Sequence, residues 1–254
     1  MLLSGKNAIV YGAAGSIGGA VSRAFAGEGA TVHLTGRTAE TLEALAEEIR
    51  GGGGNAETAV VDALDEGQVD EHADRVASEA GSLDVSFNLI SHPSTHGTPL
   101  WEMRVDDFMD SVDTAARTTF ITARAAARNM IPRKQGVILA FGGPGDRSGP
   151  EREYYLGGTQ VAFDTIETIR RQLSIEAGPH GVRFVTLSSG GIPETLPSDF
   201  DGRDSIVELI EGQALLPGAA TLEQVGRAAV FAASDYAASM TAATLNVSAG
   251  ALID

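Results

Sequence analysis

Seven short runs rich in branched apolar residues, separated for the most part by longer stretches of helical period, constrain this chain more than any other feature. The runs span residues 8–11, 31–34, 59–61, 85–90, 137–141, 183–187 and 244–247. Most are apolar at successive positions, as strands buried on both faces of a parallel sheet must be. Between them, Ile17, Val21, Ala24 and Phe25 recur at helical spacing, as do Leu42, Leu45 and Ile49, and then Val161, Thr165, Ile166, Ile169 and Leu173. Gly27, Gly29 and the glycine run 51–54 fall where the first two helices should stop. No helix start follows that run, so it reads as a helix-to-strand turn rather than a phosphate loop. Strands alternating with helices predict an α/β fold: a doubly wound, seven-stranded, mostly parallel sheet with helices on both faces. The chain has 254 residues, 43% of them hydrophobic, and no linker divides it. It reads as a single domain over 1–254.

Charge and composition exclude whole classes of function. The formal net charge of -16 repels polyanions, so neither nucleic acid nor an anionic membrane is expected as a partner. With no cysteine, disulfides, thiolate chemistry and cysteine-ligated metals are out. The first residues lack the basic start and apolar stretch of a signal peptide. No apolar run approaches the roughly 20 residues that span a bilayer. The expected location is cytoplasmic.

The segment Gly12-Ala13-Ala14-Gly15-Ser16-Ile17-Gly18 lies between the first strand and the first helix. Small residues there let the backbone approach a pyrophosphate, while the helix N-terminus aims its N–H groups and positive dipole end at it. A glycine loop between a strand and an amphipathic helix predicts a dinucleotide site. The second strand ends Leu34-Thr35-Gly36-Arg37-Thr38, where an acid would hold the ribose 2′-hydroxyl of NAD. Arg37 suits a 2′-phosphate instead, so NADP is the expected cofactor, with NAD as the alternative.

From this loop onward the chain resembles the short-chain dehydrogenase/reductase family, of Rossmann type, nearly end to end. The loop matches the family's opening motif with two departures: Tyr11 stands where threonine is usual, and Ser16 where glycine is. Asp62-Ala63 resembles the Asp-Val that contacts adenine, and Asn88-Leu89-Ile90-Ser91 resembles Asn-Asn-Ala-Gly. Gly178-Pro179-His180-Gly181-Val182-Arg183 matches the lead into the sixth strand. Ser189-Gly190-Gly191-Ile192-Pro193-Glu194-Thr195 looks like the stretch lying over the nicotinamide, and Val247-Ser248-Ala249-Gly250 like Val-Asp-Gly-Gly. The resemblance thus implies cofactor contacts at Gly12, Gly15, Ser16, Ile17, Gly18, Arg37, Asp62, Ala63, Leu89, Ser91, Gly190, Ile192 and Thr195. It also implies a homo-oligomer, dimer or tetramer, built on the long helix over 105–131 and the helix after it. Arg117, Arg124 and Arg128 share one side of that long helix, facing either a partner subunit or solvent. Residues 190–218, with three prolines, are expected to cover the substrate.

The same resemblance implies a catalytic set of asparagine, serine, tyrosine and lysine, and its four positions fall on Ala115, Gly143, Thr159 and Phe163. A free phenol titrates near pH 10 and needs a cation to ionise near neutrality, yet the only lysines are Lys6 and Lys134. The tyrosine spacing of enoyl reductases falls on Leu156, next to Tyr155. Tyr154 and Tyr155, with Arg147 and Arg152 close in sequence, are either a substitute proton donor or packing residues. His92 and His96 follow the fourth strand on the cofactor side, and histidine is the side chain best suited to proton transfer near pH 7. Pro93 between them, and the absence of a third ligand nearby, argue against a metal. Tyr155 and His92 are the catalytic candidates. The function expected is an NADP(H)-dependent oxidoreductase of a small carbonyl or alcohol. The alternatives are a non-catalytic cofactor-binding or structural protein and, in the same cleft, dehydration or isomerisation.

Overall fold

Strand β1 (Asn7–Tyr11) turns through the glycine loop into α1 (Ser16–Gly27), and the alternation repeats through β2 (Thr31–Gly36), α2 (Ala39–Gly51), β3 (Asn55–Val60), α3 (Glu66–Glu79) and β4 (Val85–Asn88). It continues with α4 (Val105–Met130), β5 (Gly136–Phe141), α5 (Thr159–Ala177), β6 (Val182–Ser188), α6 (Arg203–Gln213), α7 (Leu222–Ala233) and β7 (Ala243–Asn246). This computed structural model describes residues 1–142, 155–199 and 202–253.

The strands form one sheet in the order β3-β2-β1-β4-β5-β6-β7, and every pairing in it is parallel. Alternation along β1 divides the core between two faces. Ala8 and Val10 face Val21, Phe25, Leu42 and Val230 from α1, α2 and α7. Ile9 and Tyr11 face Val69, Ile121, Met130 and Ile166 from α3, α4 and α5. This is the predicted doubly wound α/β fold. Because β1 pairs with β2 on one side and β4 on the other, successive helices leave it on opposite faces. That reversal opens a crevice at the carboxyl edge of the sheet.

Helices α1 and α7 touch closely: a Cβ on Gly226 would lie 3.1 Å from the Ala24 Cβ and 3.2 Å from the Ala20 carbonyl oxygen. Helices α3 and α4 are joined by charge. Arg124 bonds Glu66 and, at 2.6 Å, Asp70; Arg128 lies 2.8 Å from Asp70 and 3.6 Å from Asp74. Arg117 pairs with Asp113 one turn back, at 2.8 Å. The three arginines expected to face a partner or solvent therefore have acids of their own chain: Arg124 and Arg128 because α3 brings an acidic face against α4, and Arg117 from α4 itself.

Two boundaries differ from expectation. β3 begins at Asn55 rather than 59, since Asn55, Glu57 and Thr58 of this edge strand are exposed and only Ala56 is buried. Such a strand has no apolar run to reveal it. The apolar run 85–90 leaves the sheet at Asn88, whose side chain turns the backbone by accepting from Ile90 N–H at 3.1 Å.

Candidate active site

The loop after β1 is built for close approach. Gly12 has φ +75°, and a Cβ there would lie 2.6 Å from the Leu89 carbonyl oxygen. A Cβ on Gly18 would lie 2.1 Å from the Gly12 carbonyl oxygen, so the first turn of α1 sits directly on the loop. Backbone N–H groups of Gly12 and Ala13 both donate to the Thr35 carbonyl, at 3.0 and 3.1 Å, tying the loop to β2. The N-cap of α1 is Gly15, with no side-chain cap and no acid in the first turn. The amides of Ser16, Ile17 and Gly18 thus point from the helix end toward the crevice, with the positive end of the dipole.

A cleft of about 390 Å³ opens beside this loop. It brings together Gly12, Gly15, Arg37, Asp62, Ala63, Leu89 and Ser91 of the expected contacts, with Ser16, Ile17 and Gly18 just behind. Arg37 is exposed and lines the cleft with Thr38 and Thr41. Asp62 is held by local bonds: its N–H donates to Gln68 Oε1 at 3.0 Å, and its Oδ1 accepts from Leu64 N–H at 3.0 Å. Gln68 is itself fixed by Asp65, the N-cap of α3, whose carboxylate accepts from the Gln68 backbone N–H at 3.0 Å and is thereby lowered in pKa. The glycine floor, the bare helix end and the cleft fit the adenosine and pyrophosphate of a dinucleotide.

Gly190, Ile192 and Thr195 lie apart from this cleft, after β6. Ile192 is buried, and Thr195 Oγ1 donates to the Ile192 carbonyl at 2.8 Å. Glu194 accepts from Leu222 N–H at 2.5 Å, fastening this turn to the start of α7. Ile210 of α6 packs over Gly191, where a Cβ would lie 2.5 Å from Ile210 Cγ1.

Across the crevice, the loop after β4 carries both histidines. Asn88 anchors its start, donating to Thr118 Oγ1 at 3.2 Å and Thr119 Oγ1 at 3.3 Å on α4. Ser111 of α4 donates to the Pro93 carbonyl, and Gly97 N–H to the Tyr155 carbonyl at 3.0 Å. His92 packs edge-on against Phe163, ring centroids 5.4 Å apart, with its Nδ1 buried and unbonded among the described residues. His96 Nε2 lies 3.4 Å from Thr159 Oγ1 at the first residue of α5. Burial holds both imidazoles below their ordinary pKa. The Tyr155 ring meets the exposed Trp101 edge-on at 6.3 Å. Ala115 is buried in α4. Gly143, Arg147, Arg152 and Tyr154 lie outside the described residues. Among the described residues there is no cluster of three metal-ligating side chains, and no helix is long and apolar enough to cross a membrane.

Sequence reasoning missed Thr114 and Thr118, which line the cleft, and Gln68, which the Asp65-x-x-Gln68 spacing could have revealed as part of a helix cap.

Comparison with known proteins covers almost the whole chain. The family model described as "Enoyl-(Acyl carrier protein) reductase" matches residues 12–251. The D-threitol dehydrogenase of Mycolicibacterium smegmatis is 29% identical over 98% of this chain and 93% of its own length. The A-factor type gamma-butyrolactone 1'-reductase (1S-forming) of Streptomyces virginiae is 28% identical over 98% and 96%. The crystal structure of a short-chain type dehydrogenase/reductase from Mycobacterium marinum superposes with a TM-score of 0.85, at 24% identity over 99% and 97% of the two chains.

Proposed function

Because the chain belongs to the short-chain dehydrogenase/reductase family of oxidoreductases, we propose that it interconverts a small carbonyl and its alcohol with NADP(H) as cofactor. The observation supporting this most strongly is the glycine cradle at the bare N-terminus of α1, opening into a cleft lined by Arg37. Hydride transfer is what the nicotinamide supplies when bound; the protein must hold it, orient the substrate and exchange one proton. Arg37 grips the 2′-phosphate, Asp62 and Ala63 border the adenine, and the turn from Gly190 through Ile192 to Thr195 lies at the nicotinamide end. Residues 190–218 cover the substrate. Proton exchange falls to a side chain on the histidine loop or the segment bonded to it: His92, His96 or Tyr155. The enzyme works in the cytoplasm as a homo-oligomer, through the faces of α4 and α5.

Calorimetric titration tests the cofactor. NADPH is expected to bind far more tightly than NADH, and R37A to weaken NADPH about 10- to 100-fold, the worth of a charge-assisted bond, leaving NADH unchanged. Equal affinities for the two would remove the NADP preference. The rival reading, a protein that binds cofactor without turnover, draws on Thr159 and Phe163 standing where the resemblance puts tyrosine and lysine. Oxidation of NADPH with any member of a broad carbonyl panel eliminates it.

A further inference from the structure

We propose that His96 is the residue that exchanges the proton with substrate, and that Thr159 is the positioning residue that lets it do so. This rests on the oxidoreductase reading above and deepens it. The three candidates differ in whether their surroundings accept both protonation states. His92 Nδ1 is buried without a partner, against the ring of Phe163. A second proton there would put a charged N–H against the Phe163 ring with no acceptor among the described residues, which burial penalises. These surroundings favour the neutral His92 ring and oppose cycling. Tyr155 turns its ring to the exposed Trp101.

His96 is exposed at its outer side and only partly shielded at the ring, and its Nε2 meets a hydroxyl rather than an aromatic wall. A threonine hydroxyl both donates and accepts, so Thr159 donates to a bare Nε2 and accepts from a protonated one. The same contact serves both states of the ring. Thr159 is buried and fixed at the start of α5 by its own N–H, which donates to the Leu156 carbonyl at 3.1 Å.

Gly157 lets the loop come this close: a Cβ there (φ +57°) would lie 2.6 Å from the Thr95 carbonyl oxygen. A larger residue at this position would push the loop off the start of α5. In alcohol oxidation the substrate O–H bond breaks and its proton passes to the His96 imidazole and on to water. A bound oxidised nicotinamide would supply the acceptor for the carbon-bound hydrogen, which would leave with both electrons as hydride. Carbonyl reduction runs the same steps backward. The lowered pKa of His96 keeps it a free base at neutral pH, which suits oxidation.

The test joins an NMR titration of the cofactor-free protein to pH–rate profiles of H96Q, T159V and T159S. In T159V the protonated ring loses the Thr159 acceptor, so the His96 midpoint moves to lower pH; T159S restores it. H96Q lowers kcat about 100-fold or more, the worth of a general base, and removes the acid limb of the oxidation profile, without changing NADPH affinity. A His96 midpoint indifferent to T159V, or an H96Q enzyme that keeps its rate and acid limb, overturns this inference alone. An unaltered protein that turns over no carbonyl or alcohol overturns the oxidoreductase reading, and this with it.

Discussion

Gly12 meets two constraints at once. Its φ of +75° costs an L-residue about 1–2 kcal/mol, and its missing Cβ leaves room for the Leu89 carbonyl. Gly12→Ala adds the strain and a 2.6 Å clash with backbone that cannot step aside. The expected result is a loss of at least 2 kcal/mol in denaturant unfolding together with loss of cofactor binding. A G12A protein of unchanged stability would mean the loop is slack. The loop was legible in the sequence because its shape depends on backbone, and glycine is the one residue that advertises backbone demands. His96 and Thr159 were not. They lie 63 positions apart, and their meeting depends on where the loop after β4 is pinned. Neither Ser111 nor Gly97 announces that pinning.

Between α3 and the sheet lies a pair of buried histidines that the sequence left silent. His33 on β2 and His72 on α3 are each 4% exposed, with ring centroids 6.4 Å apart and both Nε2 atoms unbonded. Arg75 donates to His72 Nδ1 at 2.9 Å, and Glu57 lies 3.3 Å from His33 Nδ1. Burial, then the charges of Arg75 and His33, push His72 down to about 4 from 6.5. Between those values the unfolded chain holds a proton that the folded one refuses, so stability falls as pH drops through the window and is fully present above it. His72 alone accounts for about 3 kcal/mol lost between pH 7 and pH 4. Urea midpoints measured across that range should show the loss, and H72Q should flatten it; an unflattened curve would assign it elsewhere. Elements whose core positions are apolar, such as β1, β5 and β6, were legible as runs of hydrophobic residues. β3, with one buried residue, and the polar seam under α3 were not, because periodicity registers apolar faces and says nothing of paired polar ones.

At the scale of the molecule, 34 acids against 18 lysines and arginines leave a surface that repels itself. Salt screens that repulsion over distances longer than about 8 Å at physiological ionic strength, more than it weakens the close pairs of Arg124 and Arg128. The melting temperature is expected to rise between 10 and 150 mM sodium chloride. A fall would make the ion pairs joining α3 to α4 the dominant charge effect.

The contact between α1 and α7 has a bearing on the order in which the chain can be completed. α1 follows the glycine loop, and Ala20 and Ala24 on its outer flank are closed off by Gly226, about two hundred residues downstream. A growing polypeptide that has emerged through β4 already holds the loop, Arg37 and Asp62, yet the back of α1 is still wet. A ribosome stalled before α7 therefore holds a first helix without its outer packing, and only the small residues that arrive late close it.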